Sequence, residues 1–370
     1  MRRPAGNAAG EPGRHAGRAR GQTVASLAFA LVVGCSSCEV AANTDGRLEP
    51  LPVAPDSVTI SGISAGGYMA VQFHVAQSSL VHGVGVFAAG PYGCAEGSVT
   101  HALGSCMKGD DDLDSDRLVG LTRTLASDGR IDPVSELADD RVWLYHGGAD
   151  PVIGKGVVDA LQRYYETLVG AKNIERVELA GAGHTFPAQG DGLHACGATE
   201  PPFIGNCGID AARKMLEHLY GRFDPTEAPV APGDLRTFDQ RPYAAAAGTA
   251  GLGPQGWVYV PAACEGAGAA GRCRLHVALH GCKQGASYVE DVFARKSGYL
   301  AAADAGHVVV LFPQAAPSLK PLNPNGCWDW WGYTGDDYGT RRGPQIVAIR
   351  AMVDDLLGVR ASQATPRDKD

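Results

Sequence analysis

A short apolar segment at 58–60 runs into Gly62-Ile63-Ser64-Ala65-Gly66, and a stretch of helical spacing at 68–76 follows directly. Glycines two positions either side of a serine, between a strand and a helix, mark a sharp turn that lifts the hydroxyl above a sheet. The turn is too tight for side chains at its flanks, and it leaves the next N–H beside the hydroxyl. In 370 residues with 50 Gly the bare pattern is common, so the flanking strand and helix carry the weight. A Gly-rich turn with a structural serine is the alternative reading.

The rest of the chain alternates short apolar runs with amphipathic stretches. Strands are expected at 82–88, 141–145, 174–179, 256–260, 274–279 and 307–312, and helices at 157–168, 211–220, 298–305 and 345–357. That rhythm predicts an α/β fold, a mostly parallel sheet with helices on both faces. Residues 224–240 are Pro-rich and read as irregular. Apolar residues make up 45% and charged residues 19%, a composition that fills a core. Forty acidic against 32 basic side chains, with no basic run in the body, argues against a nucleic-acid partner. No apolar run reaches the roughly 18 residues of a membrane span.

A serine nucleophile needs a base, and the base an orienting acid. On a sheet of this kind they follow in the order Ser, Asp, His, each just after a strand. Asp150 follows the 141–145 strand and His184 the 174–179 strand. Asp150 could instead be a turn residue bonding nearby backbone. His146, close to Asp150, is a rival base, but strand-end geometry favours His184. His101 and His194 lack a preceding strand.

The chain order is unusual. An oxyanion hole takes one N–H from Ala65 and a second from a loop after an earlier strand, often beginning His-Gly. There is no room for that loop upstream of Ser64. Downstream, an apolar strand ends in His280-Gly281-Cys282, and a helix, a strand, an aromatic loop and a last helix follow. This series belongs before the strand of Ser64, so the expected fold is a circularly permuted α/β-hydrolase. Neither half is complete without the other.

The N-terminus reads as an export signal: residues 1–22 carry five Arg and one Glu, and a ten-residue apolar stretch follows at 24–33. Val32-Val33-Gly34-Cys35 resembles a lipoprotein box, which would leave a lipidated Cys35, whereas Val40-Ala41-Ala42 suits ordinary signal peptidase. Cleavage after Ala42 removes Cys35 and Cys38 and leaves eight cysteines, an even number that fits an oxidising compartment. The expected layout is a signal at 1–42, an N-terminal segment at 43–54, one catalytic domain at 55–358 and a polar tail at 359–370. The protein is expected to be secreted or periplasmic.

SGISAGGYMA, HGGADPVI, GAGHTF, LHVALHGCKQG and NPNGCWDWWGY together resemble the polyhydroxybutyrate depolymerase and esterase family, with an order similar to its single-domain fungal-type members. The resemblance covers roughly residues 55–358. It implies hydrolysis of 3-hydroxybutyrate esters, with Ser64 as nucleophile, His184 as base, Asp150 as orienter and the Ala65 and Cys282 N–H groups as the oxyanion hole. It also implies a Cys282–Cys327 disulfide, which leaves Cys94–Cys106, Cys196–Cys207 and Cys264–Cys273 as local pairings. Trp330 and Trp331 are candidates for the substrate-binding surface, with core packing as the alternative for each; Trp143 and Trp257 sit on strands and read as core. No metal and no cofactor is expected, the partner is an ester or polyester substrate, and the chain is expected to be a monomer. A feruloyl or acetyl-xylan esterase of the same wider family, and a non-catalytic surface-binding protein on a hydrolase fold, are the competing readings.

Overall fold

A computed structural model describes residues 46–109, 113–224, 231–247, 251–266, 269 and 271–359. The expected export signal, both candidate cleavage points and residues 360–370 of the expected tail lie outside the described residues. In chain order the strands are β1 (Val53–Ile63), β2 (Gly83–Phe87), β3 (Arg141–Gly147), β4 (Ile174–Leu179), the short β5 (Phe186–Ala188), β6 (His194–Ala195) and β7 (Ile204–Asn206), then β8 (Asp234–Asp239), β9 (Gln255–Val260), β10 (Cys273–Leu279) and β11 (Val308–Phe312). Eight of them form one sheet in the order β4-β3-β2-β1-β10-β11-β9-β8, while β5, β7 and β6 pair separately.

From β4 to β11 all neighbours are parallel; β9 and β8 complete the edge antiparallel. Strand β1 sits mid-sheet between β2 and β10, with Ile60 opposite both Val84 and Val277. The four strands that come last in the chain therefore fill the half of the sheet that an unpermuted hydrolase builds first. This is the permuted order expected from the sequence.

Alternate side chains on the parallel strands serve opposite layers, as the two-residue strand period requires. Ile60, Val84, Val142, Leu144, Leu275, Val277 and Leu311 enter one buried cluster, with the helices Ala65–Ala76, Lys155–Leu168 and Pro344–Leu357 packed over it. Ile63, Phe87, Trp143, Tyr145, Val310 and Phe312 enter the other, beneath the helices Ala211–Tyr220 and Tyr299–Gly306. Three polar positions on this second face pair internally. His276 meets Thr59 and Ser61 at 2.7 Å each, and Ser61 meets the Tyr299 hydroxyl at 2.6 Å. Burial holds His276 neutral, its pKa pushed down to about 3.

The structure differs from the sequence reading in several places, the short strands β5 to β7 among them. Within the Pro-rich 224–240 stretch, Asp234–Asp239 is a strand, the sheet's outer edge, paired with β9. The first strand runs from Val53 to Ile63, longer at both ends than the expected 58–60. The segment ahead of it is tied down: the Leu51 N–H donates to Leu356 O at 2.9 Å, and Arg47 pairs with Asp355 at 2.7 Å on the last helix. Helices at Val99–Leu103 and Ser115–Ser127 have no counterpart in the sequence reading. Among the described residues, no helix is long and apolar enough to cross a membrane.

Candidate active site

Ser64 stands between β1 and the helix Ala65–Ala76 with φ 55° and ψ −123°. This is backbone that a residue with a Cβ rarely adopts, and such strain persists only where the surroundings impose it. They do so here. The Ser64 N–H donates to Phe87 O at 2.9 Å, and Ser64 O accepts the Tyr68 N–H at 3.0 Å. Glycine is required at both flanks: a Cβ at Gly62 would lie 2.2 Å from Gly66 O, and one at Gly66 2.4 Å from His280 O. The second contact carries more meaning than the first, because it presses the start of this helix against the end of β10. A Cβ on Gly281 would lie 3.4 Å from Ser64 Cβ, so the His280-Gly281-Cys282 loop and the serine turn are neighbours.

Asp150 and His184 lie on the loops after β3 and β4. Those loops are joined by backbone bonds from Gly148 N to Leu179 O (2.8 Å) and from Ala149 N to Ala182 O (2.9 Å). Asp150 does two things at once. Its Oδ1 accepts the Val152 and Ile153 N–H groups at 2.7 and 2.9 Å, closing a turn, while Oδ2 accepts from His184 Nδ1 at 2.7 Å. The turn contacts and the His184 contact are therefore made by different oxygens of one buried carboxylate. With its hydrogen on Nδ1, His184 presents Nε2 as an acceptor. His146 is buried, with Nε2 3.1 Å from Ile153 O, and belongs to the underside of the turn.

Ser64, His184, Gly281 and Cys282 line one cavity of about 460 Å³. This is within the usual range for small-molecule sites. Neither the Ala65 N–H nor the Cys282 N–H has an acceptor among the described residues. The remaining wall is largely apolar: Val152, Phe203, Trp330 and Trp331, with the exposed Val99, Leu103 and Leu322 at its margin. Lys283 is the one permanently charged side chain among the lining residues.

A sequence 33% identical over 344 residues, 90% of this chain and 98% of its own length, is the polyhydroxybutyrate depolymerase of Talaromyces funiculosus. The chain belongs to the polyhydroxybutyrate depolymerase family. The poly(3-hydroxybutyrate) depolymerase of Delftia acidovorans is 40% identical over 89% of this chain; the chain spans 64% of that relative's length. The crystal structure of PHB depolymerase from Penicillium funiculosum superposes with a TM-score of 0.77 at 33% identity, covering 85% of this chain and 99% of that one. A serine-to-alanine variant of PHB depolymerase complexed with R3HB trimer superposes with the same TM-score at 32% identity. No family model matches the chain.

In this member of the depolymerase family four disulfides are formed among the described residues: Cys94–Cys106, Cys196–Cys207, Cys264–Cys273 and Cys282–Cys327. The last ties the loop after β10 to the aromatic loop. Asp329 shapes that loop: its buried carboxylate accepts the N–H groups of Gly332, Tyr333 and Thr334 at 2.7–2.9 Å and the Thr334 hydroxyl at 2.6 Å. Trp330 is buried and stacks on Tyr68 at 4.1 Å, yet it also lines the cavity, so core packing and pocket lining both hold for it. Trp331 stands edge-on to Trp330 at 5.7 Å and is only partly buried. Trp143 and Trp257 are in the core. Tyr68, Phe203 and Asp329 are site residues that the sequence reading passes over. Only Tyr68 carries a local signal, being one helical turn beyond Ser64.

Proposed function

We propose that the chain is an exported serine esterase that hydrolyses poly(3-hydroxybutyrate) or its oligomers through an acyl-enzyme. The observation that carries this reading is that His184, bonded to Asp150, lines one largely apolar cavity together with Ser64 and Cys282, while the Ala65 and Cys282 amides have no acceptor among the described residues. Ser64 Oγ attacks the ester carbonyl as its proton passes to His184 Nε2. The carbonyl oxygen takes up the negative charge and accepts from the Ala65 and Cys282 N–H groups, with the positive end of the Ala65–Ala76 helix dipole behind the first. His184 returns the proton to the departing alcohol. Water then attacks the Ser64 ester, giving its proton to His184, which passes it to Ser64 Oγ as the free acid leaves. Asp150 keeps the imidazole in the required tautomer throughout.

An uncharged, methyl-bearing polyester suits a cavity walled by aromatic and aliphatic side chains. Exposed Val99, Leu103 and Leu322 extend that apolar surface to the mouth. Four disulfides fit an oxidising destination and thus export. Trp331 is the side chain through which substrate area is added. Its replacement by Ala is expected to raise KM for 3-hydroxybutyrate oligomers about tenfold, or ~1.4 kcal/mol, with kcat little changed. An unchanged KM would remove Trp331 from the subsite.

The deciding experiment incubates the mature protein with amorphous poly(3-hydroxybutyrate) and, separately, with feruloylated arabinoxylan. Release of 3-hydroxybutyrate or its dimer supports the reading. Ferulate as the sole product would assign a carbohydrate esterase. Inertness toward both, and toward p-nitrophenyl butyrate, would leave a non-catalytic surface binder.

A further inference from the structure

Gly281 lies between two peptide planes, and buried side chains hold both. Its N–H donates to Gln284 Oε1 at 2.7 Å, and its carbonyl lies 2.7 Å from His280 Nδ1. A carbonyl oxygen can only accept, so Nδ1 carries the imidazole hydrogen. The other ring nitrogen agrees, since Nε2 accepts the Ala315 N–H at 3.1 Å. The tautomer is thereby fixed from both sides. Burial keeps the ring uncharged, with its pKa pushed down to about 4. The ring packs on Trp328 at 5.5 Å, and a Cβ on Gly285 would lie only 2.6 Å from its Cε1.

The Gly281 carbonyl and the Cys282 N–H belong to one trans peptide unit and point in opposite directions. A donor that holds the carbonyl therefore aims the amide. The same bond polarises the peptide and strengthens its N–H as a donor. We propose that His280 is a positioning residue for ester hydrolysis, its Nδ1–H holding the Gly281 carbonyl so that the Cys282 N–H points at the oxyanion. This rests on the serine-esterase reading above. His280 itself touches no reacting atom. It acts through a hydrogen-bonded series that runs from the Ala315 amide through the imidazole to the Gly281–Cys282 peptide.

Two near-isosteric variants of the full chain separate this role from simple core filling. In His280→Asn the side-chain amide sits where Nδ1 was and can still donate to Gly281 O. In His280→Gln the amide reaches the Nε2 position and leaves that carbonyl unheld. With p-nitrophenyl butyrate, kcat is expected to fall about 10- to 100-fold in His280→Gln, with KM within about threefold and His280→Asn within about fivefold of wild type. Gly285→Ala, which pushes the imidazole from outside, is expected to lower kcat about tenfold at unchanged KM. Activities are normalised to the folded fraction from thermal unfolding. Equal losses in the Asn and Gln variants, losses that track the folded fraction, or full kcat in Gly285→Ala would each overturn the proposal. An inactive wild type, or a fully active Ser64→Ala, would instead overturn the esterase reading on which it stands.

Discussion

Ser64→Ala is expected to lower the turnover of p-nitrophenyl butyrate and of 3-hydroxybutyrate oligomers by a factor on the order of 10⁶, to a residual rate set by binding and the oxyanion amides alone. Alanine keeps the Cβ at the strained φ of 55°, and the Ser64 N–H keeps its Phe87 acceptor, so the thermal unfolding midpoint should not move. That combination separates loss of the nucleophile from loss of the turn. Activity within tenfold of wild type would exclude Ser64 as the attacking group, and with it the acyl-enzyme.

Asp150→Asn should cost about 10³- to 10⁴-fold in kcat at nearly unchanged stability. The reason lies in the two oxygens. The Val152 and Ile153 N–H groups require an acceptor, so the carboxamide oxygen must take the place of Oδ1. Its NH₂ is then forced toward His184 Nδ1. Two donors cannot face each other, and the imidazole moves its hydrogen to Nε2, where it can no longer accept the proton of Ser64. Asp150→Ala behaves differently. It also strips the turn of its acceptor and should lose about 1–3 kcal/mol of stability. Steady-state kinetics and thermal unfolding of the two variants give the comparison. A kcat for Asp150→Asn within tenfold of wild type would remove the orienting role.

The elements that place the candidate triad were legible because each carries a change of period. Around Ser64 a two-residue repeat gives way to a helical one; β3 is a short apolar run, β4 mixes Ile174, Val177 and Leu179 with three charged residues, and both end in Gly-rich loops. The edge strand Asp234–Asp239 offers no such signal. Only Phe238 on it is buried, and antiparallel pairing at a sheet edge needs no continuous apolar run. The helix Ser115–Ser127 is similarly hidden: Leu118 and Val119 are its buried aliphatic side chains, and Asp114, which accepts the Asp116 and Arg117 N–H groups, is its one conventional mark. Within the site, Asp150 and His184 could be found from their places at strand ends. The arrangement around Gly281 could not, because the amide that fixes the His280 tautomer comes from Ala315, beyond the next strand. Phe203, edge-on to His184, comes from within the loop that Cys196–Cys207 closes, and no local pattern marks it.

A ribosome delivers the middle of this sheet first. Strands β1 to β4 can associate as they emerge, but Ile60 must wait for Val277 before the other side of β1 is covered. Pairings so distant along the chain are slow to form, and until they do the half-built structure shows an open strand edge. The late-arriving segment also brings the Cys282 amide, so on the esterase reading a partially folded or truncated polypeptide holds the hydroxyl without its full oxyanion support. Hydrolytic competence is thereby withheld until the C-terminal strands have docked.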